Sequence, residues 1–340
     1  GYDSAGLAVR DGEGDTEVIK AKGRLKVLAD KTNNGESVPG TCGIGHTRWA
    51  THGEPSETNA HPHMSDDGNV VAVHNGIIEN YQELKDKLIR NGYEFYSSTD
   101  TEVAVKLVDY YYKKYLGTPV DAINHAMVRI RGSYALAIMF KDYPGEIYVA
   151  RKDSPMILGV ENGESYIASD VPAILKYTRN VYYIGNLEMA RIRKGEITFY
   201  NLDGDEIQKE PKTIEWDAEA AEKAGFEHYE ISNFCRPGKY SRHNSSYWKG
   251  IPYLGCGPSA HSFDGMTREW NVSSIDTYIK GIEENSRAFE IEYLDQTTRY
   301  NEFIITTIRT VWGTPIEKLK QMFGNEMWEY CQRMAAPYLK

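Results

Sequence analysis

Long apolar runs are missing from this 340-residue chain. None approaches the ~20 residues that a membrane-crossing helix needs, so a helical membrane protein is excluded and no membrane partner is expected. Excess positive charge is missing as well. Thirty-nine Lys and Arg stand against 49 Asp and Glu, a net charge of -10, which disfavours a nucleic-acid partner. Cysteine is scarce: Cys42, Cys235, Cys256 and Cys331 lie far apart, with no C-x-x-C pair. That argues against a zinc ribbon or a disulfide framework and suits a reducing, cytoplasmic setting. There is no Pro/Gly/Ser-rich spacer, internal repeat or low-complexity tract. The chain opens on Gly1 with neither an initiator methionine nor a basic-then-apolar leader, and so reads as a fragment.

What is present divides the chain near residue 225. Residues 226–340 hold 19 of the 40 aromatics, and of the net charge of -10 they carry only -1 (13 basic, 14 acidic). Two domains are therefore expected, 1–225 and 226–340. In the first, Thr99-Asp-Thr-Glu102 is a capping box opening a helix with Val103, Leu107, Val108, Tyr111 and Tyr115 on its apolar face. A helix is predicted over Tyr81–Arg90, stopped at Asn91-Gly92. Strands are predicted at Tyr134–Phe140, Glu146–Arg151, Ser165–Ala168, Val181–Ile184 and Glu196–Tyr200, with a hairpin turn at Asp203-Gly204. Strands that follow one another without long helices between them favour layered antiparallel sheets with helices outside. No G-x-G-x-x-G follows a strand, so a dinucleotide-binding fold is not expected.

Chemistry concentrates between Cys42 and Asp100. Gly45-His-Thr-Arg-Trp-Ala-Thr-His-Gly-Glu-Pro-Ser56 reads as a polar loop, and five of the nine histidines fall within residues 46–74. His61-x-His63 is the first candidate for metal ligation. The spacing supplies no third ligand of recognisable type, and Pro62 holds the pair rigid rather than convergent. No metal is expected, and loop carbonyls are the expected partners of these histidines. After an apolar strand over Val70–Val73, His74-Asn75-Gly76 reads as a turn. The same Asn amide and Gly N–H would suit an oxyanion hole, two donors aimed at a developing negative charge.

Gly1-Tyr-Asp-Ser-Ala-Gly6, Gly45–Ser56, Asn59-Ala-His-Pro-His63, His74-Asn-Gly-Ile-Ile-Glu-Asn80 and Thr99-Asp-Thr-Glu-Val103 occur in this order. Together, over 1–225, they closely resemble the glutaminase domain of the isomerising glutamine–fructose-6-phosphate aminotransferases, a class II glutamine amidotransferase family. The resemblance implies an α+β fold, an N-terminal-nucleophile-type α-β-β-α sandwich. It implies glutamine as the ligand, with Arg48 on its α-carboxylate and Asp100 on its α-ammonium. Thr51 and His52 would line the same pocket, Trp49 would gate ammonia passage, and Asn75 with Gly76 would form the oxyanion hole. The family's nucleophile is an N-terminal cysteine whose α-amine is the base, placed upstream of the Gly1–Gly6 motif. An N-terminally truncated sandwich with one unpaired sheet edge is therefore expected, without glutamine hydrolysis. Cys42 has no free α-amine and reads as a small buried hydrophobe.

Tyr229-Glu-Ile-Ser-Asn-Phe-Cys-Arg-Pro-Gly238, Ser241–Trp248 and Gly255-Cys-Gly-Pro-Ser-Ala-His-Ser262 resemble a different family, the radical-SAM heme chaperones related to oxygen-independent coproporphyrinogen III oxidase. This implies a partial α/β barrel end with a small helical domain, and it would put Arg242, His243, Asn244 and His261 at the barrel mouth. Strands are expected near Gly225–Phe234 and Ile251–Leu254. Helices are expected at Ser274–Glu284 and Arg299–Val311, with Phe303, Ile304, Thr307 and Ile308 facing the core, and further at Ile316–Met322 and from Trp328. The Cys-x-x-x-Cys-x-x-Cys signature is absent, so neither an iron–sulfur cluster nor SAM is expected. The two resemblances meet at Ala224-Gly-Phe-Glu-His-Tyr229. The readings are a glutamine-binding domain, a heme-binding fragment, or a hybrid reading frame with no function of its own.

Overall fold

A computed structural model of the chain describes residues 3–12, 16–48, 54–215 and 218–338, the side chains of 218–220 excepted. The chain divides into two compact units, Gly1–Glu215 and Trp216–Lys340. The division lies slightly upstream of the compositional boundary, because the short helix Ala218–Lys223 packs on the strand Glu227–Glu230.

Alternating side chains build the first unit. A seven-stranded antiparallel sheet runs in the order Glu206–Ile207, Glu196–Tyr200, Glu188–Arg193, Ile147–Lys152, Gly132–Phe140, Val70–Ile78 and His63–Met64. On one face Val70, Ala72, Leu136, Ile138 and Phe140 meet Leu84 and Leu88 of the helix Tyr81–Arg90, Val103 and Leu107 of Asp100–Tyr115, and Ile123 of Pro119–Met127. On the other face Val71, Val73, Ala135, Ala137 and Met139 meet Ala8, Ile44 and Leu158 of a second sheet layer. Burial of each large aliphatic side chain here stabilises the unit by roughly 1.5–3 kcal/mol.

The second layer consists of two sheets. One orders Thr16–Lys22, Ser4–Arg10 and Cys42–Arg48; the other orders Lys212–Thr213, Asn180–Tyr183, Ile157–Glu161 and Glu164–Ala168. Outside them, Leu28 of the helix Leu25–Lys31 packs on Ala5 and Ala21. Ile174 of Val171–Leu175 packs on Ile157 and Val181. The unit is thus an α-β-β-α sandwich. Cys42–Arg48 and Glu164–Ala168 are both edge strands, paired on one side only among the described residues.

Several local expectations change. Gly45–Arg48 is not loop: it continues the strand that begins at Cys42, paired through Ser4↔Arg48 to Leu7↔Gly45. His74-Asn75-Gly76 is not a turn either. The strand Val70–Ile78 runs straight through it, with Asn75 opposite Ala135 and Gly76 opposite Tyr134. Gly76 is needed because its φ is +130° and a Cβ there would collide with the Ser133 carbonyl oxygen. The capping box at Thr99 is only half formed. Thr99 Oγ1 accepts from the Glu102 N–H at 3.2 Å, but the Glu102 carboxylate accepts from the N–H groups of Tyr96 (3.0 Å) and Ser97 (2.7 Å) and pairs with Lys106 at 2.7 Å. Cys42 is half-buried, and desolvation raises its thiol pKa.

The second unit has a hairpin, Glu227–Glu230 with Asn233–Cys235, and a three-stranded antiparallel sheet of His261–Phe263, Thr267–Asn271 and Phe289–Tyr293. Helices span Arg242–Trp248, Ile275–Glu283, Gln296–Ile308 and Ile316–Ala335. Ile251–Leu254 forms no strand, only a bridge from Tyr253 to Phe263. The two expected C-terminal helices are one run broken at Gly324, where φ is 83° and ψ 171°. Its core is Tyr300, Leu319 and Phe323, with Phe303 and Ile304 against them. Ile308 faces solvent.

Candidate active site

A cleft of about 460 Å³ lies between the edge strands Cys42–Arg48 and Glu164–Ala168. Its apolar lining includes Val73, Ala135, Ala137, Ile147 and Ile192 of the central sheet, with Met156 and Ile167 beside them. Where the strand Val70–Ile78 reaches Asn75 the lining turns polar. His46, Arg48, Asn75, Gly76, Asp100 and Thr101 gather there.

Arg48 closes its strand and is 4% exposed. Its guanidinium stands 3.9 Å from the Asp3 carboxylate. Burial lowers its pKa from the ordinary arginine value, while the negative charges of Asp3 and Asp100 oppose that shift. Asp100 is the first residue of the helix Asp100–Tyr115, where the helix dipole favours a carboxylate. Its Oδ2 accepts from the Ile78 N–H at 2.9 Å, which ties the helix start to the strand that carries Asn75 and Gly76. A cation and an anion are therefore held beside two potential amide donors. Trp49, Thr51 and His52 lie outside the described residues.

Four histidines back this polar end. His46 and His61 stack, with ring centroids 4.2 Å apart and 23° between planes. The His74 N–H donates to His61 Nδ1 at 3.4 Å, so the His61 proton sits on Nε2, 3.2 Å from Thr101 Oγ1. The Thr101 hydroxyl in turn lies 3.0 Å from His74 Nδ1. His63 bridges Tyr96 OH (3.0 Å) and Thr99 Oγ1 (3.1 Å). The expected backbone partners are present for His63 (Asn59) and His46 (His74), and side-chain hydroxyls join them. Burial lowers the pKa values of His46, His61 and His63, the last two strongly, so these rings are neutral at pH 7. Among the described residues no group of three or more His, Cys, Asp or Glu is arranged to hold a metal ion.

Sequence reasoning did not single out His46 or Thr101 as parts of this site. The only local signal was the density of histidines, which says nothing about tertiary partners. None of the four cysteines lines the cleft. In the second unit Arg242, His243 and Asn244 form the first turn of the helix Arg242–Trp248, capped by Ser241. His261 is on the strand His261–Phe263, its ring 5.9 Å from that of Trp270. No hydrogen bond or ion pair joins it to the other three among the described residues. No helix of the described residues is long and apolar enough to cross a membrane.

Each of the two units contains a match to a known family. Residues 46–176 match the family model of a glutamine amidotransferase domain, and residues 294–340 that of the HemN C-terminal domain. The chain is 53% identical over 231 residues to the glutamine–fructose-6-phosphate aminotransferase (isomerising) of Caldanaerobacter subterraneus subsp. tengcongensis, which is 68% of this chain and 37% of that one. It is 48% identical over 242 residues to the Clostridium acetobutylicum enzyme of the same name, 71% of this chain and 39% of that one. It therefore spans less than half the length of these relatives. Among solved structures, the glutamine phosphoribosylpyrophosphate amidotransferase of B. subtilis superposes with a TM-score of 0.50 at 26% identity, over 61% of this chain and 44% of that one. The chain thus carries, in its first unit, a glutamine amidotransferase domain of N-terminal-nucleophile fold, similar to that of glutamine–fructose-6-phosphate aminotransferases, and over 294–340 a segment similar to the HemN C-terminal domain.

Proposed function

We propose that the first unit is a binding site for L-glutamine, built for releasing ammonia toward amino-sugar synthesis, and that the chain as it stands binds glutamine without hydrolysing it. The observation that carries this reading is the convergence of Arg48, Asp100, Asn75 and Gly76 on one cleft. Arg48 pairs with the α-carboxylate through its planar fork, and Asp100 takes the α-ammonium. The family resemblance assigns Thr51 and His52 to the same pocket and Trp49 to ammonia passage. The side-chain amide then reaches Asn75 and Gly76, whose donors stabilise the oxyanion of acyl transfer. The nucleophile is absent from this set, since no thiol lines the cleft. The two open strand edges flanking the cleft suit one further strand, added in extended form and delivering a terminal cysteine to the polar end.

Titration calorimetry with L-glutamine, run beside a glutamate-release assay, tests this. Weak binding without release is expected, and binding is expected to disappear in Arg48→Ala. Extension of the chain upstream by a strand that begins with cysteine should bring release. Robust release by the unextended chain would overturn the proposal, because it would require a nucleophile outside the set named here.

A further inference from the structure

The side-chain amide of Asn75 has two ends of nearly equal shape and opposite polarity. Only the NH2 end can stabilise an oxyanion; the carbonyl end would repel it. Something must fix which end faces the cleft, and among the described residues one side-chain hydrogen bond is recorded for Asn75. Its Oδ1 lies 2.7 Å from His46 Nε2. His46 belongs to the strand Cys42–Arg48 and Asn75 to Val70–Ile78, so this contact joins the two sheet layers at the cleft.

We propose that His46 is a positioning residue: the proton on its Nε2 holds the Asn75 carbonyl and so turns the amide NH2 toward the substrate's reacting carbonyl. This inference rests on the oxyanion role given to Asn75 above. Its argument is the geometry around the imidazole. Among the described residues His46 Nδ1 is buried without a well-aligned hydrogen-bond partner. A proton placed there would be a buried donor with no well-aligned acceptor, whereas on Nε2 it meets Asn75 Oδ1 at 2.7 Å. A second proton is disfavoured, because burial above all, with the charges of His74 and Arg48, lowers the ring's pKa against the raising effect of its hydrogen bonds to the Asn75 side chain and the His74 backbone. The ring is also held in place. It stacks on His61, which is 5% exposed and is itself fixed by the His74 N–H and by Thr101. A reversed amide would need the opposite tautomer at His46, with its donor buried and poorly aligned. The polarity of the Asn75 amide is thereby written into the packing of the histidines behind it.

Nitrogen-15 NMR of the whole labelled chain reads this directly. In the wild type, His46 is expected as the Nε2–H tautomer, with an Asn75 Nδ2 signal that shifts when L-glutamine is added. In His46→Phe, which keeps a ring to stack on His61 but has no N–H, that glutamine-dependent shift should be lost. In His46→Gln, whose side chain can donate from the same side, it should return. A thermal melt of each variant separates loss of the signal from loss of the fold. Protonation of His46 on Nδ1 in the wild type would overturn the proposal, as would an Asn75 shift that persists in His46→Phe. If L-glutamine moves no signal in the wild type, the glutamine reading falls, while the tautomer still decides the assignment of His46.

Discussion

In the first unit the strands Val70–Ile78 and Gly132–Phe140 bury side chains on both faces, whereas in the second unit every residue of Phe289–Tyr293 is exposed, Tyr293 at 78%. The same contrast runs through the helices. Leu84 and Leu88 of Tyr81–Arg90 are enclosed, while Ile275, Ile279 and Ile282, which share one face of Ile275–Glu283, are all exposed. Yet the second unit is the richer in aromatics. Its rings gather in small separate clusters instead of one continuous core. Tyr229 meets Tyr240, Trp248 and Trp312 at 5.1–6.1 Å, and Tyr300 meets Phe323 at 5.6 Å. Aromatic content alone therefore does not measure a core. Two sheet faces and two helix layers enclose apolar surface far better than small sheets and single helices do.

This contrast predicts two unfolding transitions, the second unit melting first, and substitutions can break or sharpen it. The largest effect is expected from Gly76→Ala. The left-handed backbone and the Ser133 carbonyl leave no room for a methyl, so the first unit should lose about 3 kcal/mol or more, read as a collapse of its calorimetric transition. Leu319→Ala should come next. It empties the centre of the small cluster with Tyr300 and Phe323 and should cost about 2–4 kcal/mol in the second transition, leaving the first in place. If both transitions move together, the units do not unfold separately.

Acid should sharpen the difference from the other side. His61 and His63 are held neutral by burial, with folded pKa values well below the ordinary 6.5. The unfolded chain takes up protons below about pH 6.5 that the folded unit refuses, so their contribution is complete above that pH and declines as pH falls from there. The slope is at most about 1.4 kcal/mol per pH unit for each histidine. Melts between pH 7 and pH 5 should lower the first transition more steeply than the second, whose histidines 228, 243 and 261 are solvent-exposed. The smallest effect is that of Ser274→Ala. It removes the cap on the Thr277 N–H and should lower the second transition by about 1 kcal/mol.

Regular elements with a strong period were legible in the sequence. The helix Tyr81–Arg90 and the strand Glu196–Tyr200 fall where the pattern puts them. Asn75-Gly76 was misleading because a glycine with positive φ serves two purposes. Here it answers a close approach by Ser133 rather than a reversal of the chain. Ile251–Leu254 had the composition of a strand but finds only a one-residue bridge, since pairing depends on a partner and not on propensity. Arg48, Asp100, Asn75 and Gly76, which line the cleft, were singled out through their motifs. His46 was not, because its partner lies 29 positions along the chain in another sheet.

The two-faced burial of Val70–Ile78 has a consequence for how this site tolerates change. Side chains alternate strictly between the helical layer and the cleft layer, so the strand behaves as a ruled scale on which Asn75 occupies one mark. A substitution rewrites a single mark. Deletion of one residue between Val70 and Val73 slides every mark to the opposite face and carries the amide out of reach of His46. The site therefore depends on the length of this strand as strictly as on the identity of Asn75 and Gly76.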